Sequence, residues 1–288
     1  MSVDTLQDKI RKTKNPSLVE LALPVSELPS SFSKDAPGYG AFCRELLLGL
    51  KGLVPGVRVS FSSFALLGSA GVEELASVLK FAREAGYYVL LDAPEIWSVQ
   101  GAQMAAEALF SADGPYHCDG VVISGYLGSD IIKPFLSLCK EGKKDVFVVA
   151  RTANKSAPEL QDLLSGTRLV HVAAADHVNR YGGDTVGKFG YSRVGVMAAA
   201  SSAESLRSLR TKYPKLFLLL DGYDYPNSNA KNCSYAFDKF GHGAAALGGR
   251  SILLAWKDAE AEEGDWLSCA VAAAERMKKN LTRYVTVL

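Results

Sequence analysis

A few polar side chains stand at the ends of apolar runs, where a strand would deliver them to a mouth. Asp92 closes Tyr87–Asp92, Arg58 lies in Val57–Phe64, Arg151 and Asn154 follow Asp145–Ala150, and Arg250 follows Gly248-Gly249. A carboxylate at a strand end can take a proton or grip a hydroxyl; equally, it can cap a helix or brace a loop. Two glycines before a guanidinium suit a phosphate, through close backbone approach and bidentate pairing. The plain alternative for Arg250 is a surface ion pair of little worth. Arg58 has a similar double reading, because it can pair with Asp92 and stitch two strands together. Arg151 and Asn154 either line the mouth or serve structure alone.

Other chemistries find little support. The four histidines, His117, His171, His177 and His242, show no metal-ligand spacing. The motif Gly-x-Ser-x-Gly is absent, so no serine nucleophile can be argued. Cys43, Cys118, Cys139, Cys233 and Cys269 are odd in number and never closely paired. That usage argues against a disulfide framework or a zinc site and fits a reducing cytoplasm.

The elements that must position these residues alternate regularly. Eight apolar runs have the length of buried parallel strands: Ser17–Leu23, Val57–Phe64, Tyr87–Asp92, Gly120–Ser124, Asp145–Ala150, Val194–Ala199, Leu216–Asp221 and Ala244–Gly248. Between them lie helical patterns over Val72–Ala85, Gln100–Phe110, Ser129–Gly142, Pro158–Leu164, Ser202–Lys212 and Lys231–Phe240, with a last one from Gly264 to about Lys279. Strand and helix repeated in this way predict a closed (β/α)8 TIM barrel; the alternative is an open doubly wound sheet. No linker or low-complexity segment divides the chain, so residues 1–288 read as one domain. In a barrel, chemistry belongs at the carboxyl ends of the strands. Gly182-Gly183, before the sixth strand, reads as a mobile loop in lid position or as a bland surface loop.

Composition bounds the answer further. The 288 residues are 48% hydrophobic, with 32 basic against 31 acidic side chains and a formal charge of +1. That balance offers no global attraction to nucleic acid or to an anionic membrane. No apolar run is long enough to cross a bilayer, and Met1–Lys14 lacks the apolar core of a secretory signal.

Several segments taken together resemble a known family. They are Asn15-Pro16-Ser17-Leu18-Val19, Tyr126-Leu127-Gly128-Ser129-Asp130 with Lys133-Pro134-Phe135, and Arg151-Thr152-Ala153-Asn154 with Glu159-Leu160-Gln161-Asp162-Leu163. Tyr191-Ser192, Asp221-Gly222-Tyr223 and Gly249-Arg250-Ser251-Ile252 extend the likeness, in order, over nearly the whole chain. The chain resembles orotidine 5'-phosphate decarboxylase in its longer bacterial form. The resemblance implies a barrel, a homodimer, no cofactor and no metal. It also implies a nucleotide monophosphate as ligand and a place in pyrimidine biosynthesis, converting orotidine monophosphate to uridine monophosphate and carbon dioxide. By position it marks Asp92 and Arg58 as catalytic candidates, and Arg250, Gly249, Gly222 and Asn154 as substrate-binding candidates.

The likeness fails at the family's reacting centre. That centre carries an Asp after the first strand, a Lys after the second and Asp-x-Lys-x-x-Asp after the third. Here the positions read Ala22, Arg58 and Asp92-Ala93-Pro94-Glu95-Ile96-Trp97, so Pro94 replaces the lysine and Trp97 the last aspartate. Pro94 has no proton to give to a carbanion, and a missing general acid costs about two to four orders of magnitude. Trp97 reads as filling substrate space or as a platform for a base. In the phosphate loop, Asp221 and Asp224 would repel a phosphate unless they point away, and Pro226 lacks an amide donor. Three functions therefore stay open: the family decarboxylation, a non-catalytic nucleotide- or phosphate-binding barrel, and a different sugar-phosphate reaction with Asp92 as base.

Overall fold

In the computed structural model, which describes residues 2–93, 96–111 and 114–288, Pro94 and Glu95 lie outside the described residues. Strands form where both faces of an apolar run find cover. They are β1 (Ser17–Leu21), β2 (Gly56–Ser60), β3 (Tyr88–Asp92), β4 (Gly120–Ser124), β5 (Asp145–Val149), β6 (Ser192–Ala199), β7 (Leu216–Asp221) and β8 (Ala244–Gly248). Among the described residues these eight pair in parallel, each with its chain neighbours and β8 with β1, to close the predicted barrel. Their side chains supply much of one continuous core, with Phe147 and Phe217 meeting edge to face at 5.9 Å.

The helices between them follow the expected order, with α3 (Gly68–Glu84), α4 (Val99–Phe110), α5 (Ser129–Lys140), α7 (Ala203–Lys212) and α8 (Trp266–Thr282) matching the sequence patterns closely. Among the described residues, three helices of more than ten residues escape the sequence reading: α1 (Val3–Thr13), α2 (Ala36–Gly49) and α6 (Val170–Gly182). Polar residues dominate α1, yet Val3, Leu6 and Ile10 form a narrow buried stripe. This helix covers the amino ends of the strands. Gln7 Oε1 accepts the Gly243 amide at 3.1 Å just before β8, and Lys9 Nζ donates to the Gly86 carbonyl just before β3. Asp35 starts α2, its Oδ1 accepting the Gly38 amide at 2.9 Å.

Other expectations are corrected. The second run stops at Ser60, and Phe61–Ala65 turns helical so that Phe64 packs against Tyr39 at 4.8 Å between ring centroids. Pro158–Leu164 is not a helix but a 3-10 turn over Ala157–Glu159 and then an antiparallel pair, Leu164–Ser165 with Arg168–Leu169. Leu160, Leu163 and Leu164 are exposed there, so the segment has no buried face to hold a helix. Lys231–Phe240 shortens to Ala230–Ser234. The mobile loop at Gly182-Gly183 is instead the packed end of α6, where the Gly182 carbonyl accepts Thr185 Oγ1 at 2.7 Å and Ser192 Oγ at 2.9 Å.

Candidate functional site

The barrel mouth is built on a cross-strand pair. Glu20 and Arg58 occupy matched positions on β1 and β2, and both side chains line one cavity of about 430 Å³. Arg58 Nη2 donates to Glu20 Oε1 and, at 3.1 Å, to Asp221 Oδ1 at the end of β7. Its Nη1 lies 3.2 Å from Met197 Sδ on β6. Only 4% of Arg58 is exposed, and its Nε has no hydrogen-bond partner among the described residues. Burial alone would lower the guanidinium pKa; Glu20, Asp92 and Asp221 outweigh it and raise it above the ordinary arginine value. The cation in the mouth is therefore permanently protonated and cannot serve as a proton donor that later recovers its proton.

Asp92 ends β3 and lines a second cavity of about 310 Å³, with Trp97, Tyr126, Thr152, Gln161 and Met197 around it. Arg58 lines the first cavity and Met197 the second, and the two side chains touch. Asp92 acts on Arg58 through its charge, while the direct ion pairs go to Glu20 and Asp221. Trp97 does not fill the mouth; 70% of it is exposed, on the rim. Thr152 and Gln161, from the segment after β5, also line the second cavity, and Gln161 Oε1 accepts the Thr152 amide at 2.8 Å.

Gly222, Gly249 and Arg250 all line the larger cavity. Gly222 has φ +75, and a Cβ there would lie 2.2 Å from the Ala153 Cβ, so only glycine fits. Arg250 is engaged by Glu27, its Nη1 and Nη2 donating to Oε1 and Oε2 at 2.8 and 2.6 Å. Asp224 points towards this corner, its Oδ2 accepting the amides of Gly249 at 2.8 Å and Ser251 at 3.2 Å. Asn154 lines neither cavity; it is exposed and bonded to Thr152 and Ser156. Arg151 is likewise turned away, forked onto Asp162 at 2.9 and 2.8 Å.

Glu20 and Glu27 were not among the sequence candidates. Glu20 sits inside an otherwise apolar run, and a charge at a strand position bound for the interior was the signal that could have found it. Glu27 lies in a 3-10 turn over Val25–Glu27, with no pattern linking it to Arg250. Among the described residues no group of three or more His, Cys, Asp or Glu is arranged to hold a metal. A larger cleft of about 740 Å³, lined in part by Lys80, Arg83, His117 and Lys144, opens near the amino ends of β4 and β5, away from the strand ends where barrel chemistry sits.

These features define a (β/α)8 barrel with a charged, ligand-sized mouth at the carboxyl ends of its strands. The chain belongs to the orotidine 5'-phosphate decarboxylase family. It is 31% identical to the Rhodopirellula baltica orotidine 5'-phosphate decarboxylase over 277 residues, 93% of this chain and 92% of that protein. The Clostridium perfringens enzyme of the same name is 28% identical over 98% of both chains. The OMP decarboxylase structure from Leishmania donovani superposes with a TM-score of 0.76 at 22% identity, covering 99% of this chain and 98% of that one, which supports the fold. No protein-family model matches the chain.

Proposed function

We propose that the chain takes a pyrimidine nucleoside monophosphate at the carboxyl ends of its strands and is built on the scaffold for decarboxylating orotidine monophosphate, with turnover strongly reduced. The observation that carries this reading is the charged row Glu20–Arg58–Asp221, with Asp92 beside it, across a mouth of nucleotide size. Decarboxylation leaves a carbanion that must be stabilised and protonated. Carboxylates near the substrate carboxylate favour departure of carbon dioxide, and a nearby cation stabilises the charge left behind. Arg58 supplies a fixed positive charge but no exchangeable proton, and among the described residues no lysine lines either mouth cavity. Asp92 accepts or orients a hydroxyl in this scheme, and Gly222, Gly249 and Arg250 border the ligand's anionic end.

That permanent protonation equally favours a second reading, a barrel that binds the nucleotide without converting it. One pair of assays separates the two. Conversion of orotidine monophosphate to uridine monophosphate is followed by absorbance beside a relative of the family, and titration calorimetry measures uridine monophosphate binding. A rate about two to four orders of magnitude below the relative's supports the first reading; binding without any rate above background supports the second. A rate equal to the relative's overturns the loss of the proton donor, and no heat from the nucleotide overturns both.

A homodimer and a cytoplasmic location accompany this reading. Leu66, Trp97, Val99 and Met104 expose large apolar surface on segments after β2 and β3, which a second copy would cover. Four of the five cysteines are buried as free thiols and the fifth is half-buried, which suits a reducing compartment.

A further inference from the structure

The corner of the mouth that borders an incoming anion already holds two anions of the chain's own. Asp224 Oδ2 accepts the amides of Gly249 and Ser251, and Ser251 Oγ donates to its Oδ1. Glu27 takes both guanidinium nitrogens of Arg250 in a fork, with Lys257 3.8 Å away. Two amides, a hydroxyl and a guanidinium are the donors that a phosphate monoester would use, and each is spent on a carboxylate. The carboxylates come from different places, Asp224 from the loop after β7 and Glu27 from the turn after β1. Both holds are exchangeable: Ser251 is exposed, and the Arg250 side chain is 63% exposed, so water competes for these bonds.

We propose that Asp224 and Glu27 form a latch on this seat, so that a phosphate monoester enters only by displacing both carboxylates, and that the pair lowers the affinity of the mouth for the nucleotide's phosphate. The inference rests on the nucleotide reading of the mouth. A phosphate arriving with the latch closed finds each of these donors taken and meets two like charges. With the latch open, those charges remain on neighbouring loops and still weaken binding. A ligand without phosphate escapes both penalties.

The test compares the full-length protein with Asp224→Asn, Glu27→Gln and the double variant, by calorimetry with uridine monophosphate, inorganic phosphate and uridine. Circular dichroism first checks that each is folded, and Glu27→Gln, on an exposed pair, serves if the double variant is not. The latch predicts uridine monophosphate and phosphate binding about tenfold or more tighter in the double variant, with uridine affinity unchanged and each single variant in between. Equal affinity for the monophosphate in parent and variants overturns the latch alone, as does an equal gain for uridine. Absence of binding by uridine and its monophosphate to every form overturns the nucleotide reading itself.

Discussion

Glu20 on β1 and Arg58 on β2 stand directly opposite one another inside the barrel, and the same guanidinium nitrogen reaches Asp221 on β7 at 3.1 Å. One cation thus ties three strands together at the mouth. A buried charge tolerates this position only while its partners compensate for lost hydration. The arrangement fixes the guanidinium, and with it the shape of the cavity wall, before any ligand arrives.

Replacing that cation with an apolar side chain of similar length leaves two carboxylates facing each other without a partner. The Glu20 and Asp221 side chains keep 22% and 18% exposure, so water offsets part of the penalty. Arg58→Met is expected to cost about 2–3 kcal/mol, below the full penalty for an uncompensated buried charge. Urea unfolding checks this. A midpoint unchanged from the parent means the row contributes nothing to the fold.

The floor of the barrel carries the opposite electrostatic problem. Asp145 is fully buried at the start of β5, where Tyr88 donates its hydroxyl to Oδ2. Burial pushes this carboxyl well above the usual range, against the hydrogen bond from Tyr88. The folded protein therefore prefers the proton that the unfolded chain gives up near 3.8. The sign follows from linkage: stability from this group is complete below pH 3.8 and is lost as pH rises through the folded pKa. Asp145→Asn keeps a hydrogen-bond acceptor without the ionisation. It is expected to unfold at higher temperature than the parent at neutral pH and to lose that advantage near pH 4. Equal stability curves for the two proteins above pH 5 would falsify the neutral, buried Asp145. In the acid limb Asp162 acts the other way, because the Arg151 hydrogen bond lowers its pKa and this support fades as pH falls.

The outline of the barrel was legible because buried parallel strands are short unbroken apolar runs, and Gly120–Ser124, Leu216–Asp221 and Ala244–Gly248 have the same ends in sequence and structure. What escaped was carried by tertiary context. The helix α1 has only three strongly apolar contacts in a charged segment, and exposed leucines at 160, 163 and 164 suggested a helix that nothing buries. The site was half legible. Asp92, Arg58, Gly222, Gly249 and Arg250 lie at the mouth because strand ends deliver them there. Their partners Glu20 and Glu27 come from another strand and a distant turn, and spacing along the chain encodes neither pairing.

Gly222 offers a test of how the loop after β7 is shaped. Its φ of +75 and the 2.2 Å approach of the Ala153 Cβ are separate obstacles to a side chain. Gly222→Ala should destabilise by about 1–3 kcal/mol. It should also displace Tyr223–Pro226, which line the larger cavity, and weaken ligand binding. Adding Ala153→Gly removes that contact but leaves the backbone strain and the 2.9 Å approach of Tyr225 Cδ2, so thermal melts should show partial recovery. Full recovery would mean that φ carries no cost here, and none would mean that the contact carries no cost.

The missing proton donor can be put back. Pro94 follows Asp92 by two positions and lies outside the described residues, and Trp97 sits on the rim of the Asp92 cavity. By its resemblance to the family, Pro94→Lys with Trp97→Asp restores the charged pattern after the third strand. By the same resemblance the new ammonium belongs to the charged set that includes Asp92, and it can release and regain a proton where Arg58 cannot. Conversion of orotidine monophosphate by the double variant is expected to rise about tenfold to a hundredfold over the parent, most of it in kcat, since a general acid acts on the transition state. Trp97→Asp alone should give no gain. A folded double variant with the parent's rate would show that the loss of turnover lies elsewhere, in the closed phosphate seat or in the fixed Glu20–Arg58–Asp221 row.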